Sequence, residues 1–163
     1  MSPRHARISV STLPGQVAGV RDQVVRQVGA WGVPFDDDTE EIIRLVPSEL
    51  VTNAVVHAGG EVTVALYHHP GHLVIDVLDD SPTPPIHRTA ETWEECGRGL
   101  ELVDALAVST GWEPTKSGKS VWALLKVPAS APEPAQRATA LRQFFTRQAP
   151  TRALRALAVA SAS

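Results

Sequence analysis

The chain has 163 residues, of which 43% are hydrophobic, a net charge of −3 and one cysteine, Cys96. That is enough chain for one domain with a buried core, the lone cysteine excludes an intramolecular disulfide, and the small net charge points to no class of partner. No segment reaches the roughly 18–20 apolar residues of a membrane span, and the first residues lack an apolar run of signal-peptide length, so a soluble cytoplasmic protein with no membrane partner is expected.

Near the N-terminus, ARISVSTL alternates apolar and polar residues and predicts a strand. From Gln16 to Trp31, Val17, Val20, Val24 and Val28 recur at spacings of three and four, which is one face of a helix. GVPFDDD interrupts it. Asp38 or Thr39 is placed to cap a second helix, with Glu40 and Glu41 in a first turn that favours negative charge. This helix should run through Ile42, Leu45, Val46, Leu50, Asn53 and Ala54 to about His57, where AGG stops it. Pro47 lies inside it, removes one helix hydrogen bond and crowds the carbonyl of Ile43. A kink near Ile43 is expected, with a fresh helix start at Pro47 as the alternative.

EVTVALYHH and HLVIDVLDD, joined at Pro70-Gly71, predict a β-hairpin. His68, His69 and His72 around that turn read as an exposed turn rather than a zinc site, because no Cys or acidic ligand lies at metal-site spacing. A Pro-rich loop, DSPTPPIH, leads to a polar stretch with Trp93. GRGLELVDALA then reads as a glycine turn feeding a helix, and KSGKSVWALLKVP contains the last strand, with Trp122 and Leu124 turned inward. The predicted fold class is α/β: a two-layer sandwich of one mixed, mostly antiparallel sheet with helices on one face.

Composition shifts at PASAPEPAQ, a Pro/Ala/Ser linker. Residues 1–128 carry ten Lys and Arg against 17 Asp and Glu, whereas residues 129–163 carry five Arg against Glu133 alone. The expected organisation is a domain over 1–128 and a basic, partly helical tail over 129–163. Ala138, Leu141 and Phe145, and then Leu154 and Leu157, give the tail helical character. It reads as a docking helix or an extension; the alternative is a segment that meets an acidic partner or covers the functional site. The acidic core and the lack of a helix-turn-helix pattern argue against direct nucleic-acid binding.

Three segments carry chemistry. In SELVTNAVVHAGG, Glu49 and Asn53 stand at i and i+4 and project the same way from one helix. The same spacing also describes the solvent face of an amphipathic helix. In VIDVLDDSP, Asp79 ends a strand at the mouth of a loop, where a carboxylate can accept a hydrogen bond from a ligand amine; an Asp-rich turn is the plain alternative. In CGRGLELV, Gly97 and Gly99 let backbone approach a phosphate ahead of a helix whose first N–H groups are unsatisfied. A helix-start turn explains the same letters. SGKS at 117–120 is not a phosphate-binding P-loop, because position 113 is Glu where the first glycine belongs and a strand follows instead of a helix.

In this order and spacing the three segments resemble the motif boxes of the Bergerat-fold (GHKL) ATP-binding domain, shared by gyrase and the catalytic halves of histidine kinases. ELVTNAVVHAGG resembles the N box, DVLDDSP the first glycine box, GRGLELV the second, and GKSVWALL the last motif-bearing strand. The resemblance is closest to the anti-sigma-factor serine/threonine kinases and their actinobacterial stand-alone relatives. It implies ATP and Mg²⁺ as cofactors, Asn53 as a metal ligand, Glu49 as general base, and Asp79 as acceptor for the adenine amino group. Gly97, Arg98, Gly99 and Leu100 would lie along the phosphates and Ser120 near the adenine. It also implies a sigma factor and an anti-sigma antagonist as partners, and homodimers are common among such kinases.

The chain departs from that pattern at several positions. Ser81 replaces the glycine of the usual Asp-x-Gly, Cys96 stands where relatives often have glycine, and Glu95 occupies the place of an arginine that reaches the γ-phosphate. Arg98 either supplies that positive charge or is a surface residue. These departures support a second reading, a non-catalytic module of the same fold that binds a partner. A histidine-kinase catalytic piece is the third, and the first helix, QVAGVRDQVVRQV, contains no histidine to accept a phosphoryl group.

Overall fold

β1 (Arg4–Val10), β2 (Val62–His69), β3 (His72–Asp79), β4 (Ser109–Pro114) and β5 (Lys119–Lys126) form one sheet in the order β1-β2-β3-β5-β4. The structure is a computed structural model, and it describes residues 4–12, 15–85, 99–129 and 152–161. All four pairings are antiparallel, so the expected mixed sheet is an antiparallel one. The registers Ile8↔Val64, Val64↔Val77 and Ile75↔Ala123 put alternate apolar residues of four strands on one face.

α1 (Gln16–Ala30), α2 (Asp37–His57) and α3 (Gly99–Leu106) cover that face. Val20, Val24 and Val28 of α1, Ile43, Val46, Leu50, Val51 and Ala54 of α2, and Leu100 and Val103 of α3 join Val62, Leu66, Ile75 and Val121 in one core. The α1 stripe follows the three-and-four spacing of its valines. Asp36 caps α2 rather than Asp38 or Thr39: its Oδ1 accepts from the Thr39 N–H at 2.9 Å. Its side chain reaches the third helical residue, the usual geometry of an N-cap, and the Thr39 bond lowers its pKa. Pro47 lies buried inside α2, which runs as one helix from Asp37 to His57 rather than starting afresh. Ser48 Oγ donates to the Arg44 carbonyl at 3.0 Å, one turn back along the same stretch.

Two features depart from the expected arrangement. β4 has no counterpart among the predicted strands. STGWEP is short, contains Gly and Pro and sits at a sheet edge, where such residues are tolerated, so period-two patterning is weak there. A Cβ at Gly111 would come within 2.5 Å of the Trp122 indole, so the glycine makes room for the ring. The second is α4 (Arg152–Ser161), which lies on the sheet face opposite α1–α3. Its Leu157 is buried with Ala65, Tyr67, Val74, Trp122 and Leu124. Helices on one face therefore holds for α1–α3, and Trp122 is core of the second face. The other predicted tail positions, Ala138, Leu141 and Phe145, lie outside the described residues.

The histidines at the β2–β3 turn are not exposed. His68 and His69 are buried, and His69 pairs with His72 across the hairpin. His68 stacks on Trp31 with ring centroids 5.9 Å apart. Among the described residues no helix is long and apolar enough to cross a membrane.

Candidate nucleotide site

Glu49 and Asn53 both follow Pro47 in α2, stand at i and i+4, and are half-buried on one side of the helix. That side meets the start of α3. A Cβ at Gly99 would collide with Glu49 Oε2 and come within 3.1 Å of its carboxyl carbon. Only glycine lets the carboxylate lie this close to the first turn of α3, where unpaired N–H groups favour negative charge. Asn53 Nδ2 is buried and has no hydrogen-bond partner. A buried amide left unsatisfied is uncommon and marks a group available to something else. Leu100 packs its side chain into the core, so what it can offer a ligand is backbone. Gly97 and Arg98 lie outside the described residues, as do Glu95 and Cys96.

Asp79 is the last residue of β3 and turns toward the helical face. Its carboxylate meets Lys119 Nζ, 3.0 Å from Oδ1 and 2.9 Å from Oδ2, and both side chains are essentially inaccessible, at 0% and 1% exposure. Oδ1 also accepts from the Ser81 N–H at 2.8 Å, an Asx-type turn that fixes the carboxylate at the strand end. Oδ2 lies near the ammonium without a well-directed hydrogen bond. The residue before the lysine, Gly118, is pressed against the backbone of Asp79 and Asp80.

Ser120 is not brought to this site. Lys119 pairs with Asp79 and Ser120 with Leu78, so strand alternation turns the serine to the opposite face. There its hydroxyl donates to Asp76 Oδ1 at 2.5 Å. Lys119, unassigned on sequence, takes the place beside Asp79. The signal was present in KSVWALL: if Val121, Ala123 and Leu125 face the core, Lys119 shares their side and Ser120 does not.

Asp76 itself is 2% exposed, and burial, with Glu113 nearby, pushes its carboxyl up to about 6 against the pull of the Ser120 bond and Arg7. On the other face, burial and the neighbouring Arg4 and His69 lower His68 to about 4. The two act in opposite senses on stability. Folded Asp76 holds a proton that the unfolded chain has released, so its contribution is complete below 3.8 and lost as pH rises through about 6. Folded His68 stays neutral, so its contribution is complete above 6.5 and lost as pH falls toward about 4. Each is on the order of 3 kcal/mol. Asp76→Asn is therefore expected to unmask the histidine, with urea midpoints that climb between pH 4 and 6.5 more steeply than in the wild type. Parallel pH profiles for the two proteins would contradict this.

Among the described residues no group of three His, Cys, Asp or Glu could hold a metal ion. The donor set fits instead a Mg²⁺ that arrives with phosphate oxygens and water and needs only one or two protein oxygens, here the side-chain oxygen of Asn53, while its unsatisfied Nδ2 remains a donor. Asp79 fits as the acceptor for an amino group, and Gly99 with the α3 start as the place for phosphate oxygens.

A family model described as histidine kinase-like ATPase domain matches residues 10–125. No curated protein matches the chain.

Proposed function

Because the chain belongs to the histidine kinase-like ATPase domain family, we propose that it binds Mg·ATP and phosphorylates a Ser or Thr of a small antagonist protein, as an anti-sigma-type regulator that also holds a sigma factor. The observation that carries this reading is the convergence of Glu49 and Asn53, one turn apart on α2, with Gly99 at the start of α3. Mg·ATP, when bound, supplies the transferable phosphoryl group and the metal charge that screens it. Asn53 gives its amide oxygen to the metal. Glu49 orients the acceptor hydroxyl and takes its proton as the new O–P bond forms and ADP departs. Asp79 accepts the base amino group, and the first turn of α3 receives phosphate oxygens. The reading places the protein in the cytoplasm, with protein partners, a homodimer as a compatible assembly and no nucleic acid.

The test is calorimetric titration of the full chain with Mg·ADP. Asn53→Ala is expected to weaken binding in the presence of Mg²⁺ by about tenfold or more, and to matter much less in EDTA. A wild-type protein that takes up neither ATP nor ADP would sink the proposal. The second reading, a partner-binding module without transfer, is favoured by the complete burial of Asp79 against Lys119. Incubation with labelled ATP and candidate antagonists separates the two.

A further inference from the structure

Lys119 has no role in the nucleotide reading, yet it holds the carboxylate on which base recognition rests. Lysines keep their ammonium in water unless it is paired, and long side chains near a surface reach outward. Lys119 does the reverse: at the first position of β5, its side chain is 1% exposed and its Nζ straddles both oxygens of Asp79. Among the described residues Asp79 is its only hydrogen-bond partner. An ammonium carries three N–H groups, and one carboxylate does not saturate them in good geometry. Asp79 Oδ2 likewise lacks a well-directed donor. The pair is thus buried but incompletely satisfied.

Space at the pair is also spoken for. The cavity lined by Leu50, Leu100, Val103, Trp112 and Val121 holds about 40 Å³, room for a water or two and not for a purine, and neither Asp79 nor Lys119 lines it; the roomier open cleft that Asp79 borders with Arg7, Thr63 and Leu78 leaves its side chain unexposed. With the Asp79 side chain at 0% exposure, a base reaches the carboxylate only if a group now packed on it moves.

We propose that Lys119 is an internal occupant of the base pocket and thereby sets its affinity. Resting on the nucleotide reading above, the inference is that the ammonium makes the contact to Asp79 that the exocyclic amino group of a bound adenine makes. Nucleotide enters as Lys119 leaves. The exchange replaces one N–H donor by another at the same acceptor, and the displaced ammonium regains its hydration. No covalent bond changes. The lysine therefore acts as a competitor whose removal tightens binding, the opposite of what loss of a ligand contact or of a structural pair would do.

The chain has only three lysines, Lys116, Lys119 and Lys126, and the first and last are exposed. Reductive methylation of the folded wild-type protein, read residue by residue by mass spectrometry, tests the exchange with those two as internal references. Lys119 is expected to be protected without ligand and to become labelled at saturating Mg·ADP. Equal protection of Lys119 with and without bound ADP would overturn the proposal while leaving the nucleotide reading intact. Titration of Lys119→Met and Lys119→Thr adds the energetic arm: ADP binding is expected to tighten roughly tenfold or more, the worth of a charge-assisted hydrogen bond no longer broken. Weakened or unchanged binding in folded variants counts against the proposal. Absence of binding in the wild type and both variants removes this inference and the nucleotide reading together. If the variants do not fold, the wild-type labelling decides.

Discussion

Gly118→Ala is expected to destabilise the domain by about 3 kcal/mol, at the upper end for added bulk in a packed site. The reason is what the new Cβ would meet. It would collide with the carbonyl oxygen of Asp79 and stand 2.7 Å from the Cα of Asp80 and 2.8 Å from the Asp79 carbonyl carbon. These are backbone atoms of the paired strand, so no side chain can rotate away. Relief requires β3 and β5 to part at the Asp79↔Lys119 end of their register. That movement also strains the turn closed by the Thr115 N–H on the Gly118 carbonyl at 2.9 Å. Gly59→Ala is the control, because a Cβ there meets nothing within 4 Å. It should change stability by no more than about 0.5 kcal/mol in either direction. Urea unfolding of the two variants checks the contrast, and similar midpoints for both would show that the strand pair yields more easily than its geometry implies.

Glu49→Ala is expected to slow phosphoryl transfer to the antagonist by about 10²–10⁴-fold, the usual worth of a positioned base. Nucleotide binding should hold within about threefold, because Glu49 is assigned to the acceptor hydroxyl and not to ATP. Its location gives a further sign. The carboxylate lies at the start of α3, where phosphate oxygens are proposed to sit, so its removal takes away a like charge and any change in ADP affinity should be toward tighter binding. Being half-buried, Glu49 should cost little stability when truncated, about 1 kcal/mol or less. Single-turnover transfer from labelled ATP, measured beside an ADP titration, separates the two effects. Transfer by the variant at the wild-type rate would refute the base assignment, and parallel loss of binding and transfer would place Glu49 with the nucleotide instead.

Asn53→Ala completes a functional contrast along one helix. It should lose Mg-dependent binding, whereas Glu49→Ala should lose chemistry. The contrast depends on both residues lying in the unbroken stretch of α2 after Pro47, which holds them one turn apart. Pro47 is buried on the core side among Ile43, Val46 and Leu50.

Sequence alone determined what depends on neighbours along the chain. The valines of α1, the Glu49–Asn53 row of α2 and the Pro70-Gly71 hairpin are legible because helical and strand periods relate residues two to four apart, and turn residues report their own backbone. Gly71 bears this out with a φ of 88°, a left-handed conformation that suits glycine. The motif boxes follow from the same local strings and indicate the family that the match over 10–125 establishes.

The tertiary structure decided which of these pieces meet. Lys119 lies 40 residues from Asp79, and Ser120 lies 44 from Asp76. Which of the two neighbours reaches Asp79 is a question of register, and a shift of one residue exchanges the faces. The same holds for Gly99 against Glu49, for the edge strand β4, whose pattern is too short to read, and for α4, whose apolar residues do not say which side of a sheet they will cover. Side-chain period is a property of the segment, but pairing partner and face are set by the packing of the whole core. The residues of the candidate site were therefore partly visible in the sequence, while the pairing of the buried Lys119 with Asp79 was fixed only when β5 was laid beside β3.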